Sequence, residues 1–141
     1  MSEWIEVAVC GAHMDGLPLN HQLLGLGGQL VLRTSTASYY RLYKLSGFEP
    51  PRPGLVRTHG QGGAVEIEVW RLPLEHYGKL VAAVPAPLCI GTLELQDGRA
   101  VQGFLCEAYA TDHAIDITSF GGWRGYLASS HSDAPKSDIN A

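Results

Sequence analysis

Residues 7–20, VAVCGAHMDGLPLN, hold the chain's densest set of groups able to do chemistry: an apolar run stops at Gly11, and His13, Asp15 and Asn20 follow among two glycines and a proline. An imidazole titrates near neutrality and can give or take a proton at physiological pH. Gly11 and Gly16 permit positive φ or close approach of the backbone to a ligand. Backbone N–H groups and a ring converging on one point suit a small carboxylate or carbonyl. The plainer reading of His13, a loop histidine satisfied by its own turn, stays open.

Two further stretches offer partners for such a ligand. In TASYYRLYKL a strand over 39–45 puts Tyr39, Arg41, Tyr43 and Leu45 on one face and Tyr40, Leu42 and Lys44 on the other. Arg41 can grip a carboxylate bidentately while Tyr43 supplies a neutral donor, although an edge strand dressed in amphipathic side chains would look the same. In PAPLCIGTLEL (85–95) two prolines fix the approach and Gly91 lets the backbone come close. Thr92 and Glu94 then share one strand face. Glu66 and Glu68 also share a face, with Trp70, in AVEIEVWR; they are expected to be solvated, an acid/base pair being the alternative.

Cys10, Cys89 and Cys106 lie in apolar strand-like runs with no C-x-x-C pair, as expected of small buried hydrophobes with free thiols. Cys10 adjoins the His13 loop and is the one with a claim to nucleophilic chemistry. Six histidines are scattered without H-E-x-x-H or a compact Cys/His cluster, so no metal is expected. No other cofactor is called for.

The elements needed to position these residues can be read in order. A strand over 4–10 leads through the loop to a short helix, Asn20 to Leu26, with Asn20 as a capping residue and Gly27-Gly28 closing it. Strands follow over 29–36 and 39–45. SGFEPPRPG (46–54) cannot be helical and would form a lid or pocket rim, and THGQGG (58–63) reads as a hairpin connection. The strand over 64–71 points Val65, Ile67 and Val69 inward. A helix opens near Pro73, with Leu74, Tyr77, Leu80, Val81 and Val84 as its apolar stripe and His76 on its outer side. Gln96-Asp97-Gly98-Arg99 predicts a hairpin pairing TLEL with AVQGFLCEA. A last short helix is expected near Phe120 to Leu127. Residues 1–128 thus read as one domain and 129–141 as a disordered tail. The fold class is α+β: a small, curved or barrel-like mixed sheet with a few short helices.

Composition narrows the partners. The chain has 141 residues, 45% apolar and 17% charged, with net charge −4 and pI near 5.8, which suits one globular domain. Such a charge leaves no basic surface for nucleic acid. No apolar run of 18 residues indicates a membrane span, and the opening Met-Ser-Glu-Trp does not read as a signal peptide, so the cytosol is the expected compartment.

The ordered blocks GAHMDGLPLNHQL, TASYYRLYKL, PPRPGLVR, VEIEVWRLP, PAPLCIGTLELQDGR, VQGFLCE and ITSFGGWRGYL resemble the C-terminal domain of allophanate hydrolases, from about Val7 to about Leu127. The resemblance implies the γ-glutamylcyclotransferase-like fold. It also implies loss of CO₂ from N-carboxycarbamate, which an amidase-signature domain leaves after removing ammonia from allophanate. On that expectation His13 is the general acid/base. The Gly11–Ala12 amides and Asn20 bind substrate oxygens, Arg41 and Tyr43 orient a carboxylate, and Gly91, Thr92 and Glu94 hold the far end or the imidazole. The implied partners are a small carboxylate or carbamate substrate and an amidase-domain protein, with a homodimer left open. Two alternatives stand beside it. A γ-glutamylcyclotransferase-like lyase needs a glutamate to abstract an amine proton, and KLVAAVP supplies none at the corresponding stretch, leaving Glu75 or Glu94 to substitute. A non-catalytic docking module would leave an apolar patch exposed, for which Phe104, Phe120, Trp123 and Tyr126 are the candidates.

Overall fold

In the computed structural model, which describes residues 3–129, the alternating and apolar runs become eight strands in two sheets. β1 (Trp4–Val9), β2 (Gln29–Ser35), β5 (Glu66–Pro73), β6 (Leu88–Glu94) and β7 (Ala100–Cys106) form a five-stranded sheet in the order β2-β5-β1-β7-β6. Every neighbouring pair is antiparallel except β1 with β7, which runs parallel with Ala8 opposite Gly103. β3 (Tyr40–Lys44), β4 (Pro53–Arg57) and β8 (Ile115–Asp116) make the second sheet, ordered β4-β3-β8.

The larger sheet closes on itself at one end. Thr36 and Leu95, just beyond β2 and β6, form an antiparallel bridge between its two edges. Ala37 and Gln96 each donate a backbone hydrogen bond across the same seam, to Glu94 and Ser35. This seam satisfies backbone groups that two free edges would leave open. It gives the barrel-like curvature expected of the sequence.

Helix α1 (Asn20–Gly25) ends as its glycines require: Gly27 adopts φ +87°, and Gly27 and Gly28 donate to the Leu24 and Leu23 carbonyls. Helix α2 (Leu74–Ala82) starts directly after Pro73 and buries Leu80, while Leu74 and Val81 of the expected stripe stay exposed. The Gln96–Arg99 hairpin forms with Gly98 at φ +92°. Residues 123–129 are helical (α3).

Three expectations need correction. Residues 58–63 are not a hairpin connection, because β4 and β5 belong to different sheets. The β5 face bearing Glu68 and Trp70 is not solvated: the residue 11–20 loop and Arg124 lie against it, and Glu68 is only 1% exposed. His76 is half-buried, with Nδ1 against the Leu26 carbonyl oxygen rather than facing out. Of the tail expected over 129–141, residue 129 is instead helical, in α3, and 130–141 fall outside the described residues. No described helix is long and apolar enough to cross a membrane.

Candidate functional site

The loop after β1 folds back on itself. Met14 donates to the Gly11 carbonyl (3.0 Å), Leu17 to Met14 (3.0 Å), and Leu19 to Ala12 (2.8 Å). Asn20 does not cap α1 from outside. It is the first helical residue, buried, and its Nδ2 donates to the His13 carbonyl at 2.9 Å. That bond uses one of the two N–H groups of the amide and ties Asn20 to the His13 backbone. Gly11 allows the loop to pass against β4, since a Cβ there would lie 2.3 Å from Pro53 Cδ.

His13 is 6% exposed. Its ring packs on Phe104 of β7 with centroids 4.9 Å apart. Nε2 lies 2.7 Å from Gln22 Oε1 on α1. With the Gln22 carbonyl oxygen facing it, Nε2 carries the proton and Nδ1 keeps its lone pair. Burial holds the imidazole below its ordinary value of 6.5, with the Arg52 and His21 charges adding to that and the Gln22 bond opposing it. The resting ring is therefore a neutral base at pH 7.

Two clefts meet at this ring. One is walled by Gly11, Ala12, His13, Arg52, Pro53 and Phe104, among others. The second runs past Gln22, Leu80 and Val84 and shares His13, Arg52 and Phe104. Arg52 enters from the proline-rich segment, which thus supplies the pocket rim. Its Cζ lies 5.1 Å from the Phe48 ring centroid, and its buried Nε has no hydrogen-bond partner among the described residues. A buried donor of that kind is costly unless a ligand satisfies it. Burial also lowers the Arg52 pKa from its ordinary value, which a bound anion would offset.

The fold brings Gly11, Ala12 and His13 to the clefts and takes the other expected residues elsewhere. Arg41 reaches Asp116 on β8 at 2.7 Å, on an exposed part of the small sheet, and Tyr43 packs against the satellite core around Leu45, Leu88 and Cys106. Gly91 faces Gly103 across the β6–β7 ladder. Thr92 accepts from Gln102 on an exposed face. Glu94 takes the Tyr39 hydroxyl and lies 3.6 Å from Arg57. Strand alternation assigned these faces correctly, but it could not say which sheet each strand would join. Arg52, Gln22 and Phe104 were missed as site residues. Only Arg52 left a signal, as the one cation in a segment already marked as a rim.

The Cys10 thiol is pushed up to about 12 by burial and the neighbouring Cys106, which removes it as a nucleophile at neutral pH. No cluster of three or more metal-ligating side chains occurs among the described residues. Of the aromatics considered for an exposed patch, Phe104 walls the clefts, Trp123 is buried, Tyr126 is half-buried against it, and Phe120 alone is exposed.

Comparison with known proteins agrees with this architecture. Residues 5–128 match the model of the allophanate hydrolase C-terminal domain. Urea amidolyase of Saccharomyces cerevisiae is 39% identical over 87% of the chain, which spans only 7% of that protein. The allophanate hydrolase structure from Kluyveromyces lactis superposes with TM-score 0.85 at 37% identity, covering 90% of this chain and 21% of that one. A uropathogenic E. coli-specific protein superposes with TM-score 0.83 at 36% identity, covering 89% of this chain and 97% of its own. A gamma-glutamyl cyclotransferase matches at TM-score 0.56 and 9% identity, over 81% and 70% of the two chains, a likeness of fold alone. With the match running from β1 to the end of α3, the chain belongs to the allophanate hydrolase C-terminal domain family.

Proposed function

We propose that the clefts at His13 bind a small dicarboxylated amine, N-carboxycarbamate, and release CO₂ from it. The observation that carries this reading is a neutral, oriented imidazole beside a guanidinium whose buried Nε lacks a partner among the described residues. Arg52 binds one carboxylate. The negative charge of the substrate raises the depressed imidazole pKa, so that binding draws a proton onto Nδ1. As the C–N bond breaks, its electron pair goes to nitrogen, CO₂ departs, and the imidazolium proton passes to that nitrogen to leave carbamate. Gly11 and Ala12 supply backbone walls close enough to orient the other carboxylate.

The cyclotransferase alternative finds less support. Among the described residues, no Asp or Glu walls either cleft. Glu75 is an exposed residue of α2 and Glu94 is engaged with Tyr39 and Arg57.

The test is a CO₂-release assay in which a purified amidase domain generates N-carboxycarbamate in situ, corrected for spontaneous breakdown. The wild-type chain is expected to accelerate release. His13→Ala, with its fold checked by circular dichroism, is expected to lose on the order of 10²–10⁴-fold of that acceleration. Equal acceleration by the variant would remove His13 from the chemistry. No acceleration by folded wild type would favour a docking role on an amidase domain.

A further inference from the structure

We propose that Glu68 and Arg124 are positioning residues that close on the Asp15 peptide from both sides and thereby hold His13, two residues upstream, against Gln22 and Phe104. The proposal rests on the reading of His13 as the reacting base. Glu68 Oε1 accepts from the Asp15 backbone N–H at 2.8 Å and from Trp70 Nε1 at 2.9 Å. Arg124 Nη2 donates both to the Asp15 carbonyl and to Glu68 Oε2, each at 2.8 Å. One carboxylate and one guanidinium thus take both polar groups of a single residue's backbone, and they bond each other.

The elements are built to deliver this clamp. Glu68 sits in the middle of β5, 1% exposed, a position where an ionised carboxylate persists only with several donors. Arg124 arrives on α3, whose approach needs glycines: Gly121 has φ +84°, and a Cβ on Gly122 would lie 2.8 Å from the Glu66 Cβ. Gly121 also accepts from the Glu66 N–H at 2.9 Å, docking the segment on β5. Arg33 meets the same cluster from outside, with its Nε 3.3 Å from Glu68 Oε2 and its Nη2 2.9 Å from the Asp15 carboxylate. It touches no backbone group of the loop, which makes it the natural control. The carboxylate and guanidinium bind main chain, so their effect is on where the loop lies and not on substrate.

The experiment uses the whole 141-residue chain with ¹⁵N-labelled histidine. The His13 ring signals are assigned by their loss in His13→Ala and then followed in Arg124→Met, Arg124→Lys, Glu68→Gln and Arg33→Met. The clamp predicts shifted or broadened His13 signals in Arg124→Met, partial return in Arg124→Lys and no change in Arg33→Met, with the remaining histidines unmoved. In the CO₂ assay it predicts kcat lowered on the order of tenfold to a hundredfold with KM within about twofold, since small misplacement of a reacting group costs rate before binding. Should Arg124→Met fail to fold, Glu68→Gln, which keeps an acceptor for Asp15 while losing the charge on Arg124, gives the same reading. Unchanged His13 signals and kcat in a folded Arg124 or Glu68 variant would overturn the proposal. So would an Arg33→Met effect as large as that of Arg124→Met. If wild type shows no turnover, the proposed activity fails while the ring signals still decide the clamp.

Discussion

Arg52→Met removes a charge and a donor, including the guanidinium whose Cζ lies over the Phe48 ring, while keeping an unbranched apolar side chain. A unit positive charge about 4 Å from a carboxylate at an effective dielectric of about 20 contributes about 4 kcal/mol. Arg52 is only partly buried, with the remainder of its guanidinium open to water. Screening therefore brings the contribution down toward the roughly 1.5–3 kcal/mol of a hydrogen bond to a charged group. At about 1.4 kcal/mol per decade, that is on the order of 10- to 150-fold in affinity. Malonate, in which CH₂ replaces the NH of N-carboxycarbamate, is a stable dianion of the same shape, and its binding can be measured by titration calorimetry. Wild type is expected to bind malonate more tightly than acetate. Arg52→Met is expected to lose most of that preference, with thermal stability within about 1 kcal/mol of wild type because loss of the unpaired buried donor offsets loss of the Phe48 contact. Malonate affinity unchanged in the variant would refute the assignment of Arg52 as the anion's partner.

Three other outcomes follow from the same geometry. Burial would raise the Glu68 carboxyl, but the Asp15 amide, the Trp70 indole and Arg124 outweigh it and hold it below its ordinary 4.5; the stability it contributes is present above that value and is lost as pH falls through the lower folded value, so Glu68→Gln should flatten the acid limb of a pH–stability curve. His13, depressed from 6.5, adds a second rise in stability as pH climbs toward 6.5, which His13→Ala should abolish. Gly11→Ala puts a Cβ 2.3 Å from the Pro53 ring and should cost roughly 1–3 kcal/mol in urea melts, along with the cleft's shape. Cys10 and Cys106, buried with thiols pushed up to about 12 and about 11, should resist a thiol reagent such as Ellman's in native protein, while the partly exposed Cys89 reacts first.

The sequence by itself determined what depends on neighbours along the chain. The pleat of a strand fixes alternation, so the inward set Val65, Ile67 and Val69 was legible, and turn chemistry fixed the Gln96–Arg99 hairpin and the Gly27 helix end. It also marked the Gly11–His13 loop, because glycines around an imidazole at the end of an apolar run are unusual enough to stand out. The alternation of β5 further put Glu68 and Trp70 together on one face, correctly, but called that face solvated, because nothing local records that a loop and α3 will cover it.

What only the tertiary structure decided is which distant residues stand beside His13. The parallel pairing of β1 with β7 carries Phe104 under the ring, and the second sheet carries Arg52 to the rim. The same assembly turns Arg41 toward Asp116 and Glu94 toward Tyr39. Strand pairing between segments far apart in sequence leaves no period in the chain, because the energy that selects it comes from burying faces against one another, and any apolar face will serve until the whole sheet is closed.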